Sequence, residues 1–159
     1  MTSPRQHLKR WGLPARQKVC QYTPEMIEIF PVGSRPSRRA PPEYFTGEVW
    51  QDPIVSAPEP ARLNALRVAF APGARTAWHT HPFGQTLYVV HGEGRVCLRG
   101  DAPRVIRPCD TVWIPPDVEH WHGAAPDVSM VHIAMQEVLD GSAATWLEHV
   151  SDADYMRSP

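Results

Sequence analysis

Two histidines stand two residues apart in the run Trp78-His79-Thr80-His81-Pro82. Along an extended strand, alternate side chains leave the same face, so His79 and His81 can offer two imidazoles to one ion. Gln85 follows Pro82-Phe83-Gly84, a turn sequence able to bring the next strand back antiparallel. A third imidazole is available at His120, in Glu119-His120-Trp121-His122. Three imidazoles and one amide oxygen form a ligand set for a divalent first-row metal that leaves positions open for substrate. All four donors are neutral, so the ion would keep its full double positive charge. A Glu at position 85 would lower that charge by one. The neutral set therefore favours strong Lewis acidity and the M(II) state, and polar rather than redox chemistry. His122 shares parity with His120, and so lines the same space or orients a ligand. His132 sits inside an otherwise apolar run, where a lone histidine is ordinarily a core residue. Unprotonated at neutral pH, it could also accept a proton. His91, beside a turn, reads as structural or exposed. Six of the eight histidines fall between residues 79 and 132, a clustering that surface histidines would not be expected to show.

The elements that must position these groups read as strands. From Glu43 onward short apolar runs are broken by Gly and Pro. Strands are expected over Tyr44–Gln51, Leu63–Phe70, Gln85–His91, Arg95–Leu98, Val105–Ile106, Thr111–Ile114 and Val128–Glu137. Gly92-Glu93-Gly94 makes a tight turn. Parity puts Leu87, Val89 and His91 on the face of Gln85, Leu66, Val68 and Phe70 together on the preceding strand, and Met130, His132, Ala134 and Gln136 together on the long one. Trp146–Val150 could add an edge strand. Ser151 is placed to cap a short helix over Asp152–Met156, with acids in its first turn. This spacing implies an all-β barrel or jelly roll. Trp78, Trp113 and Trp121 are expected to pack the barrel.

Gly73, His79, His81, Gln85 and Gly92 have the spacing of the first cupin motif, and Cys109, Pro115 and His120 that of the second. The chain most resembles the small bacterial cupins that act as manganese-dependent hydroxynitrile lyases. They share the Ala74-Arg75-Thr76-Ala77-Trp78-His79-Thr80-His81-Pro82 run, Gln where most cupins have Glu, and the His120-Trp121-His122-Gly123 segment. The likeness spans roughly residues 43–156. It implies a single cupin β-barrel with His79, His81, Gln85 and His120 as metal ligands. The ion it implies is manganese, with iron or zinc as other candidates. It also implies a catalytic role for His132 and pocket positions for Thr76 and Gln136. The implied reaction is C–C cleavage of a small hydroxynitrile, or its reverse from an aldehyde and cyanide. One barrel hosts many chemistries, so a non-haem iron dioxygenase and a non-catalytic small-ligand sensor stand as alternatives. Two departures fall in the second motif, where Cys109 and Asp117 replace glycines that serve turns with unusual backbone angles. A third is Ala124, in place of a closing Asn.

At 159 residues the chain is long enough for one domain with a real core. A net charge of -1 gives no reason to expect nucleic acid as a partner, and no apolar run approaches the length of a membrane helix. Residues 1–25 read as a basic, flexible extension. Residues 26–42 read as a strand starting at Met26 followed by a Pro/Arg-rich linker from Ser34 to Pro42, and residues 43–159 as the cupin domain. Cys20, Cys97 and Cys109 are odd in number and form no metal-binding pair, which points to a reducing cytoplasm. A small-molecule substrate and a homo-oligomer, dimer or tetramer, complete the expectation.

Overall fold

A computed structural model describes residues 27–158. Its strands run in chain order as β1 (Arg38–Arg39), β2 (Phe45–Thr46), β3 (Val49–Ser56), β4 (Leu63–Phe70), β5 (Arg75–Thr76) and β6 (His79–Thr80). They continue as β7 (Gln85–Gly92), β8 (Gly94–Leu98), β9 (Arg104–Ile106), β10 (Thr111–Ile114), β11 (His120–Ala124), β12 (Met130–Glu137) and β13 (Thr145–Trp146). One short helix, α1 (Asp152–Tyr155), closes the described chain. Six strands form one sheet in the order β1-β3-β4-β12-β7-β10. The facing sheet runs β13-β6-β11-β5-β2, with β8 and β9 added beside β11. The result is a jelly-roll barrel, all-β apart from α1.

The alternation read from the sequence is the alternation that fills the barrel. Val68 and Phe70 of β4, Leu87 and Val89 of β7, and Met130 and Ala134 of β12 are buried in one apolar cluster. Full burial of the Val, Phe, Leu and Met side chains among them stabilises by about 1.5–3 kcal/mol each. His132 and Gln136 take the same inward parity on β12 and are buried with them. Gly84 holds the turn between His81 and Gln85 at φ +77°, and a Cβ there would lie 2.6 Å from the Ile114 carbonyl oxygen, so only glycine fits. Ser151 caps α1 by accepting from the Asp154 N–H at 3.0 Å, as its position before two acids suggested. Tyr155 donates to the Ala124 carbonyl at 2.8 Å, tying the helix to β11.

Several expectations change. Ile27–Phe30 forms no strand and is exposed, while Met26 and the basic extension lie outside the described residues. A strand needs a neighbour, and the sheet edge is taken instead by Arg38–Arg39, inside the stretch read as linker, paired with Gln51 and Trp50. His91 does not share the face of Gln85. The register against β12 slips between Val131 and His132, so that His91 pairs with Val131 and turns outward. Trp78 and Trp121 are buried as expected, but Trp113 stands 60% exposed on the outer face. Cys109 and Asp117 adopt φ of +75° and +59°, the left-handed conformation that the cupin motif normally gives to glycine.

Candidate metal centre

The pairing of short strands gathers the imidazoles. His120 of β11 lies directly opposite His79 of β6, and on the other side of β6 the partner of His79 is Trp146 of β13. The His79 ring centroid is 4.2 Å from that of His120, 5.1 Å from His81 and 5.3 Å from His122. Ligand atoms of His79, His120 and His122 come within 4.8 Å of one another, so three histidines are positioned to hold a metal ion. His81 stays outside that limit, although its ring lies 5.5 Å from that of His120.

Hydrogen bonds sort these rings by tautomer. His79, His81 and His120 each donate from Nδ1 to a backbone carbonyl: Ala77 at 3.0 Å, Ala143 at 2.6 Å and Val118 at 2.8 Å. A neutral ring that carries its proton on Nδ1 presents a lone pair on Nε2, the form a metal requires. The Nε2 atoms of His81 and His120 are buried without any hydrogen-bond partner. So is Oε1 of Gln85, whose amide nitrogen donates to Oε1 of Gln136 at 3.1 Å. Unpaired buried acceptors are costly to leave alone. A cation among them would satisfy all at once, and the residues present fit a divalent metal.

His122 and His132 form a hydrogen-bonded pair. Nε2 of His132 lies 3.1 Å from Nδ1 of His122, and Nε2 of His122 has no partner. Oγ1 of Thr76 accepts the backbone N–H of His122 at 3.2 Å, holding that ring's backbone in place. Burial is the main force on every one of these groups. It pushes His79 and His122 well below the ordinary imidazole range, the neighbouring imidazoles adding to the effect. It lowers His81, takes His120 down to about 4 and His132 down to about 3. All five rings are therefore neutral at pH 7.

These groups border a cavity of about 370 Å³. Thr76, His79, His81, Gln85, His122 and Gln136 supply most of its polar wall, and Tyr44, Phe45, Leu66, Val68, Ala134 and Trp146 its apolar one. No Asp, Glu, Lys or Arg lines it among the described residues. His132 lies behind His122 and does not line the cavity, and neither does His120. Thus Thr76, His79, His81, Gln85, His122 and Gln136 share one space, and the fully buried His120 and His132 back it. Sequence reasoning missed Asn64, which also lines the cavity, although its parity with Leu66 and Val68 was there to be read. It also missed the aromatic wall, in which Tyr44 stacks on Trp146 at 4.7 Å and Trp146 on His79 at 4.7 Å. Nothing local to residues 141–146 marks them as cavity residues, because only the β13–β6 pairing brings them there.

Residues 66–135 match the cupin domain family. The chain is 52% identical over 131 residues to the (R)-mandelonitrile lyase of Granulicella tundricola, an alignment spanning 82% of this chain and 100% of that protein. Among solved structures, a cupin-like protein of Thermotoga maritima is 40% identical over 81% of this chain and 95% of its own, with a TM-score of 0.70. A polyketide cyclase of Streptomyces resistomycificus, at 14% identity with 82% and 91% coverage and a TM-score of 0.64, shares the fold alone.

Proposed function

The chain belongs to the cupin family, and from that premise we propose that it is a metal-dependent lyase that cleaves, or in reverse forms, a small aromatic cyanohydrin. The observation that carries this reading is the cavity's charge: buried neutral donors and no carboxylate. His79, His81 and His120 through Nε2, and Gln85 through Oε1, would hold a divalent ion, manganese first and iron or zinc next. Their Nδ1–carbonyl bonds favour this set over one in which His122 replaces His81. When bound, the ion would supply Lewis acidity toward a substrate oxygen.

The chain's own groups supply the rest. The aromatic and aliphatic wall receives the substrate ring, while Thr76 and Gln136 border its polar end. In the tautomer whose His122 Nδ1–H donates to Nε2 of His132, Nε2 of His122 keeps its lone pair, and His122, which lines the cavity, takes the hydroxyl proton. The C–CN bond then breaks, its electron pair leaving with cyanide and the carbonyl forming behind it. The proton held by the His122–His132 pair returns to cyanide, giving aldehyde and hydrogen cyanide. His132 acts here through His122. The mandelonitrile lyase likeness supports the substrate class. A dimer or tetramer fits the apolar outer sheet face, where Trp50, Tyr88, Val90 and Trp113 are exposed. A cytoplasmic setting fits the free thiols of Cys97 and Cys109. Mandelonitrile cleavage, followed with and without restored manganese, tests the proposal. Oxygen uptake with iron in its place would turn the reading to a dioxygenase.

A further inference from the structure

Three amides stand side by side on three neighbouring strands. Asn64 of β4, Gln136 of β12 and Gln85 of β7 are cross-strand partners in register. Gln85 donates from Nε2 to Oε1 of Gln136 at 3.1 Å, and Gln136 donates from Nε2 to Oδ1 of Asn64 at 2.7 Å. The chain of donors runs one way, from Gln85 toward Asn64. Its consequence is at the far end, where Oε1 of Gln85 is left buried and unpartnered.

An amide can turn over and exchange its oxygen for its nitrogen at little steric cost. Turned over, Gln85 would present an NH₂ group to a cation, which it cannot ligate. What holds the oxygen forward is the acceptor at Gln136, and what holds that acceptor is the oxygen of Asn64. From this we propose that Asn64 is a positioning residue for the metal site, setting the polarity of the ladder that aims the Gln85 carbonyl. The inference rests on the metal site proposed above. Asn64 lines the same cavity but reaches the Gln85 amide only through Gln136, at a distance of two hydrogen bonds.

The test is manganese titration of wild type, Asn64→Leu, Asn64→Asp, Gln85→Leu and the double variant Asn64→Leu/Gln85→Leu. The metal-free thermal midpoint of each is measured beside it as a check on folding. Removing a group that orients a ligand typically costs 10–100-fold in metal affinity. Asn64→Leu is expected to weaken manganese binding by about tenfold with its metal-free midpoint near wild type. Asn64→Asp, which can only accept from Gln136, is expected to bind at least as tightly as wild type. In the Gln85→Leu background the Asn64→Leu change is expected to cost nothing further, because the ligand it positions is gone. Wild-type affinity in Asn64→Leu, or the same tenfold loss with and without Gln85, would overturn the positioning role while leaving the metal site intact. A wild-type protein that binds no divalent metal would overturn both.

Discussion

Nε2 of His132 lies 3.1 Å from Nδ1 of His122, and His132 has no surface on the cavity. In the proposed mechanism, the histidine to which the family resemblance gives a catalytic role thus acts one ring removed from the cavity, through His122, which lines it. Two imidazoles sharing one hydrogen bond are expected to act as a unit. His122→Ala and His132→Ala should each lower cyanohydrin cleavage by about 10²–10⁴-fold, the usual share of general base catalysis. The double variant should be little worse than either single one. Independent, multiplying losses would show that the two rings act separately.

The ligand set makes its own prediction. His81 and His122 compete for the third imidazole position: the Nδ1–carbonyl pattern favours His81 and the atom distances favour His122. His81→Ala is expected to lose more than about tenfold in manganese affinity. His122→Ala should keep its metal and lose cleavage. Elemental analysis of the two purified variants decides, and the opposite pattern would exchange their roles.

Much of this site could be read in the sequence because strand parity is a strict rule. Met130, His132, Ala134 and Gln136 were expected on one face, and all four are buried there. What parity could not supply was depth. It places His132 inward but cannot say that His122 from another strand stands between it and the cavity. The outward turn of His91 depends on a register slip against β12 that no local pattern announces. Asn64 and Trp146 joined the site through pairings distant in the chain, and exposed Trp113 shows that a large aromatic residue alone does not mark a core.

Charge at position 85 gives a third test. Gln85→Glu places a carboxylate where the cavity has none, so divalent metal should bind more tightly while Lewis-acid activation weakens. Cleavage is therefore expected to fall as manganese affinity rises. With iron bound, oxygen uptake should increase. A variant that cleaves as fast as wild type would remove the argument from the neutral site.

Acid should unfold the metal-free protein early. Burial holds His120 at about 4 against an ordinary value near 6.5, so between these limits the unfolded chain binds a proton that the native chain does not. Stability from this group is complete above pH ~6.5 and is lost as the pH falls toward 4, by about 3 kcal/mol. His132 and the other buried imidazoles act in the same direction. The thermal midpoint of chelator-treated protein, measured from pH 7.5 down to 4.5, is expected to drop throughout the lower half of that range. A flat profile would contradict the buried neutral state.

Cys109 offers a gain. Its φ of +75° is costly for a residue with a Cβ, by about 1–2 kcal/mol. Cys109→Gly relieves that cost and gives back part of it as unfolded-chain entropy. A net gain of up to about 1 kcal/mol is expected, raising the thermal midpoint by about 2–4 °C. A fall in the midpoint would mean that the Cys109 side chain makes a contact worth more than the backbone cost.

The most direct test is a single cycle on the wild-type protein: mandelonitrile cleavage as purified, after chelation, and after manganese is restored, with dissolved oxygen recorded throughout. The neutral imidazole and amide site predicts cleavage that disappears with the metal, returns with manganese and consumes no oxygen. Cleavage indifferent to the metal, or no cleavage alongside oxygen uptake, would contradict it.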